Sequence, residues 1–336
     1  MTADRAKSIV KSGLLRSHVL RLASAWLPPA VVVLAYHSIR KDPGRHQGYL
    51  PGIVHSAAQF EDHMRIVARE FVPVSLDDLV AFAERRTEIP RRAVAVTLDD
   101  GFADNLHIAA PIMNRYGIRG AIFVSVGFVD AGRTPWFARI RHAFNTSEQH
   151  MWPGLEGDRE FDLSRPDGRY RAFLEASGAC ARSTGGRQET LVQSLERQLG
   201  VGAFQVEERM ILTWEQIRAL RAQGHIVGSH TMTHPNLAHV PPAELMQELT
   251  ESKRLLEENT QAPVAHFSYP RPILDPYFTD ETTEAVRQAG YRTAGTCESG
   301  TFRIGDDLLR INRLAVPRAA DEVRWLLENT FLGRKI

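Results

Sequence analysis

Apolar residues gather along this chain into runs of four to seven positions, separated by longer stretches in which they recur at helical spacing. The runs are Ala30–Tyr36, Phe71–Val74, Ala93–Leu98, Gly120–Val126, His225–Ser229, Val264–Ser268 and Tyr291–Thr296. Several, such as Val31-Val-Val-Leu-Ala35, are apolar without alternation, which predicts strands covered on both faces. Strands of that kind alternating with helices predict an α/β architecture with a mainly parallel sheet.

The helices announce where they start. Ser56-Ala-Ala-Gln59, Ser75-Leu-Asp-Asp78 and Thr213-Trp-Glu-Gln216 fit the capping box or its acidic variant. After the first, Phe60, Met64, Val67 and Phe71 form a stripe fit for burial, whereas His63 reads as a surface residue. Further helices are expected over 103–116, 242–258 and 281–289, with Gly117 and Gly290 where helices stop. Residues 130–210 break the rhythm, being polar, locally rich in glycine and without a clear strand. They read as a mostly helical insertion after the fourth strand, and no internal repeat is present.

Composition narrows the classes. Of the 336 residues 43% are hydrophobic and 24% charged, the balance of a soluble globular protein that needs no staple. A net charge of +1 argues against nucleic acid as a partner. Cys180 and Cys297 form no framework and show no metal spacing. No run of about 18 apolar residues exists to span a bilayer. Residues 1–29 read as a basic amphipathic helix, with Arg5, Lys7, Lys11, Arg16 and Arg21 among Ile9, Leu14, Leu15, Val19 and Leu22. Such a helix packs on its own domain or lies on a membrane surface through residues 1–25. Pro28 and Pro29 interrupt what would be the core of an export signal. The expected location is therefore cytoplasmic or peripheral to a membrane, with export left open.

The chemistry gathers at two strand ends. Ala93-Val-Ala-Val-Thr-Leu-Asp-Asp-Gly101 closes a buried strand with two adjacent carboxylates, whose repulsion a cation would relieve. Asp-Gly alone is an ordinary turn dipeptide. In Gly228-Ser-His-Thr-Met-Thr-His-Pro235 another strand runs into two histidines with three residues between them, close enough in one turn to share an ion. One carboxylate and two imidazoles leave room for water, the donor set of a catalytic rather than a structural zinc. No phosphate loop, dinucleotide fingerprint or nucleophile elbow is present.

With Phe267-Ser-Tyr-Pro270 and Leu34-Ala-Tyr-His-Ser-Ile39 added, the chain resembles the polysaccharide deacetylase family, the group built on the nodulation-type chitooligosaccharide deacetylase domain. The likeness runs to about Pro317 and is nearest the branch of poly-N-acetylglucosamine deacetylases. It implies a distorted (β/α) barrel of about seven strands over residues 30–320, followed by a helix over 321–336. It also implies one divalent metal, usually zinc, held by Asp100, His230 and His234, with Asp99 as catalytic base. The expected reaction is metal-assisted hydrolysis of an N-acylated poly- or oligosaccharide. A backbone N–H near Pro270, that of Arg271, would help hold the oxyanion.

Two departures from the family's pattern bear on this. Arg271 and Pro272 stand where an aromatic residue and glycine usually follow Pro270. Many members also carry a late Leu-x-His histidine as general acid, whereas here the last histidine is His266. His37, at the end of the first strand, is the candidate acid, or Asp99 returns the proton it took; Arg313 could stabilise charge but is a poor acid. Trp136 and Phe137 would serve as a sugar-stacking wall or as core. Two alternatives stand beside the main reading: a deacylase or deformylase of a lipid-linked sugar, and a silent carbohydrate-binding barrel.

Overall fold

The computed structural model describes residues 26–42, 51–129, 134–202, 204 and 209–334, with isolated positions between 11 and 20. The amphipathic helix expected over 1–29 lies mostly outside these residues.

The sheet begins with β1 (Val31–Tyr36), fully apolar and buried at its centre. A small parallel pair follows, β2 (Ser38–Arg40) with β3 (Val54–Ser56). Then come β4 (Val72–Pro73), β5 (Ala93–Leu98) and β6 (Ala121–Val124). An antiparallel pair, β7 (Met151–Trp152) and β8 (Phe161–Asp162), lies among the helices 136–146, 166–181 and 185–198. The main sheet resumes with β9 (Ile226–Ser229), β10 (His266–Ser268), β11 (Thr293–Gly295) and β12 (Arg313–Ala315).

Seven strands pair in parallel in the order β11-β10-β9-β6-β5-β1-β12. Ile311, just before β12, bridges Gly295 in parallel and donates to the Ala294 carbonyl at 2.9 Å, so the circuit is nearly closed. The molecule is a distorted (β/α) barrel with a mostly helical insertion after β6.

The second and seventh barrel positions differ from expectation. Phe71–Val74 shrinks to the two residues of β4, which pair with Ala93 and Val94 outside the circuit. Pro73 has no N–H to extend a ladder. The missing barrel strand is β12, three residues led by an arginine, which no apolar run announces. The pair β7 and β8 escaped notice for the same reason, since two-residue strands leave no periodic trace.

The three anticipated caps form with reciprocal bonds, Ser56 with Gln59, Ser75 with Asp78 and Thr213 with Gln216. A fourth, Thr279 with Thr282, opens the helix 280–288. Phe60, Met64 and Val67 are fully buried in the core. So is His63, contrary to its surface reading: its ring lies between the Tyr36 hydroxyl at 3.2 Å and the Arg318 carbonyl at 3.0 Å. The helix expected over 103–116 begins as a π-helical turn, Asn105–Ala109, before its α-helical part, Ala110–Arg115.

Candidate metal centre

β5 delivers both carboxylates to the C-terminal mouth of the barrel and then separates them. Asp99 keeps its amide in the ladder, donating to the Tyr36 carbonyl at 2.9 Å. Asp100 turns into the left-handed region with φ of 72°, and Gly101 follows at 74°. A side chain at Gly101 would stand 3.0 Å from Val124 Cγ1 in a conformation that disfavours one. The two acids therefore face different partners.

Asp99 meets Arg313 of β12. The guanidinium grips both carboxylate oxygens at 2.8 Å each, donates to the Thr296 carbonyl at 2.9 Å and reaches Ser268 Oγ at 2.8 Å. Both side chains are buried. Burial alone would raise the Asp99 carboxyl, but the adjoining guanidinium outweighs it and holds the group well below the carboxylate range. A planar two-pronged contact also fixes the carboxylate's orientation.

Asp100 meets the two histidines that follow β9. His230 Nε2 lies 3.5 Å and His234 Nε2 3.3 Å from Asp100 Oδ1. The other nitrogen of His230 donates to the Ser268 carbonyl at 2.8 Å, which leaves Nε2 as a lone pair. Burial pushes His230 down to about 4, so it is neutral at ordinary pH. Asp100 Oδ1 is buried without a hydrogen bond. Ligand atoms of the three residues lie within 4.8 Å of one another. A buried anionic oxygen facing two imidazoles, one of them fixed as an acceptor, fits a divalent cation.

The segment carrying the histidines is a loop containing one turn. Thr231 and His234 both have positive φ, 68° and 56°, and His234 donates its amide to Thr231 Oγ1 at 2.9 Å. Pro235 and this side-chain turn prevent helix from continuing.

The other candidates distribute around this centre. His37 follows β1 and is half-buried. Its backbone is held by Asn105, which donates to the His37 carbonyl at 2.8 Å. Asp104 accepts from Ser38 Oγ at 2.6 Å and from the Ile39 amide at 3.1 Å. Burial lifts the Asp104 carboxyl to about 6 against those bonds. The Arg271 side chain is exposed, pairs with Asp275 at 3.3 Å and lies over the Tyr277 ring. Trp136 is buried and donates from Nε1 to the Thr233 carbonyl at 3.1 Å. The half-buried Phe137 ring stands 5.2 Å from that of His234.

Sequence reasoning weighed Arg313 only as a charge stabiliser and passed over Ser268, Asp104, Asn105 and Glu248. The available signal was an arginine inside the apolar stretch Ile311-Asn-Arg-Leu-Ala-Val316, where burial demands a counter-ion.

Known proteins resemble this chain in sequence and in fold. Residues 184–294 match the model of the polysaccharide deacetylase family. That stretch, about a third of the chain, is similar to a polysaccharide deacetylase domain. The chain is 20% identical over 301 residues to YxkH of Bacillus subtilis, whose name assigns it provisionally to the polysaccharide deacetylases. That match covers 87% of this chain and 75% of the relative. Over 60 residues it is 44% identical to a chitooligosaccharide deacetylase of Bradyrhizobium, 18% of this chain and 27% of that protein. Among solved structures, the deacetylase PplD of Streptococcus pyogenes, determined with acetate, superposes with a TM-score of 0.59 at 16% identity, covering 91% of this chain and 99% of that one. IcaB from Ammonifex degensii gives 0.57 at 19% identity, covering 90% and 98%. At these identities the structural matches establish the fold. Among the described residues no helix is long and apolar enough to cross a membrane.

Proposed function

We propose that this polysaccharide deacetylase domain removes N-acetyl groups from N-acetylhexosamine units of a polysaccharide or oligosaccharide, using a divalent metal, zinc by donor type. The observation that carries the reading is the pairing of two unlike carboxylates at one strand end, one beside two imidazoles and one locked to an arginine.

In this reading Asp100, His230 and His234 hold the ion, which supplies an acidified water and a polarising charge at the acyl carbonyl. Asp99 takes the proton from the attacking water. Arg313 keeps it ionised and aimed; Oδ2 also accepts from Ser268 Oγ at 3.3 Å, and Oδ1 keeps a lone pair to spare. That ion pair lowers its intrinsic basicity, so its work relies on the water having been acidified. The Arg271 amide faces the developing oxyanion. His37, at the end of β1, returns a proton to the leaving amine. Asp99, once protonated, is the other donor within the site.

Acetate release from N-acetylglucosamine oligomers tests this, with metal content measured on the same sample. Zinc-loaded wild type should release acetate, and His230→Ala should abolish both metal retention and release. Treatment with a chelator should stop release and added zinc should restore it, with the far-ultraviolet circular dichroism unchanged. A protein that holds zinc and releases acetate from none of these oligomers would overturn the reading.

A further inference from the structure

Every main-chain polar group from the His230 amide to the His234 amide has a partner. The strand end β6 and the turn behind it supply four: the Val124 carbonyl to the His230 amide, Ser125 Oγ to the His230 carbonyl, and the amides of Val126 and Gly127 to the carbonyls of Thr231 and Met232. Ser229 Oγ accepts from the Thr231 amide, Thr231 Oγ1 accepts from the His234 amide, and Trp136 Nε1 donates to the Thr233 carbonyl. Two consecutive amides remain, and one side chain accepts both. Glu248, from the helix 242–260, takes the Met232 and Thr233 amides on one oxygen, each at 2.8 Å. Its other oxygen takes the Thr233 hydroxyl at 2.6 Å. The carboxylate is buried, and neither it nor the residues it holds is a ligand.

From this geometry we infer that Glu248 is a positioning residue that sets metal affinity. It acts by pinning Met232 and Thr233, and so holds the segment in which Thr231 and His234 take the left-handed conformation that β-branched Thr231 would not adopt unaided. Two adjacent buried amides would otherwise have no acceptor, and the segment would relax toward solvent or helix, swinging His234 relative to His230. A hydroxyl or a backbone carbonyl could not replace it. The site demands two acceptor oxygens on one rigid end, with room for two donors on one of them. Holding ligands through an outer partner typically changes metal affinity by about 10- to 100-fold.

The inference rests on the metal reading above, and the experiment separates the two. Zinc dissociation constants are measured on apo-protein by competition with a chromogenic chelator, alongside the melting temperature of each apo variant. Wild type that binds no zinc would refute the metal reading itself, before any variant is compared. With wild type binding, Glu248→Ala should weaken zinc at least about tenfold per folded molecule. Glu248→Gln, whose amide oxygen can still accept both N–H groups, should stay within about threefold of wild type. A purely structural role would lower the melting temperature of Glu248→Ala and leave its zinc affinity at the wild-type value, and that result would sink the inference. Should Glu248→Ala fail to fold, Thr233→Val decides. It removes the hydroxyl contact alone and should weaken zinc by about two- to fivefold, on the scale of one hydrogen bond; unchanged affinity there counts against the proposal.

Discussion

At the scale of single residues, burial decides which groups carry charge. Asp99 and Arg313 form a buried ion pair, so each should be costly to lose. Arg313→Ala should destabilise the fold by about 3–5 kcal/mol in urea titration, since it strands a buried carboxylate. Asp99→Asn should lower acetate release by about 10²–10⁴-fold per folded molecule, the usual worth of a positioned base. His63 shows the opposite logic. Its neutral ring is satisfied on both nitrogens, and burial pushes it down to about 4. In the unfolded chain it titrates near 6.5, so below that pH the unfolded state takes up a proton that the folded state refuses. Stability is then full above about pH 6.5 and falls as pH drops toward 4, by on the order of 3 kcal/mol. His63→Gln should flatten that decline between pH 7 and 5 in denaturant midpoints; an unchanged slope would place the titration elsewhere.

Among elements, legibility follows length and chemistry. The buried runs at β1, β5 and β9 and three of the capped helices could be read directly, because each repeats a local rule over several residues. β12 could not, since three residues headed by a charge satisfy no strand pattern and become a strand only by pairing with β1. The capping box Thr279–Thr282 was missed because threonine replaces the usual acid or amide at its third position. Elements also make room for one another. A side chain at Gly295 of β11 would stand 2.7 Å from Arg313 Nε, so this strand is bare where the guanidinium crosses it. Gly295→Ala should cost about 1–3 kcal/mol as overpacking and should also reduce activity by displacing Arg313. By comparison, Ser56→Ala should cost about 1 kcal/mol as a lost cap and leave turnover alone. Melting temperatures and rates measured on both variants test that contrast.

On the scale of the whole molecule, the barrel divides labour between its ends. The carboxylates and imidazoles sit after the C-terminal ends of β5 and β9, where barrels carry function. Near the opposite end His266 holds Thr293 Oγ1 at 2.9 Å and Asp77 at 3.0 Å, and Asp77 in turn holds Arg119 at 2.8 Å. Asp77→Asn should therefore shift the melting temperature and spare kcat, and a change in kcat with no thermal shift would contradict that division. The two motifs of the functional end were legible at separate strand ends, whereas the His266–Asp77–Arg119 contact and the joints across the barrel are tertiary and left no local mark. One such joint also governs order in time. Asp99 and Arg313 lie 214 residues apart, and Arg313 belongs to the last strand of the circuit. At roughly 5–20 residues per second, a ribosome needs about ten to forty seconds to make the chain between them. Throughout that interval Asp99 lacks the guanidinium it meets in the folded barrel, so the barrel cannot close until β12 has been made. A chain cut short before residue 313 is then not a weakened enzyme but an open sheet with a stranded charge, a natural target for quality control.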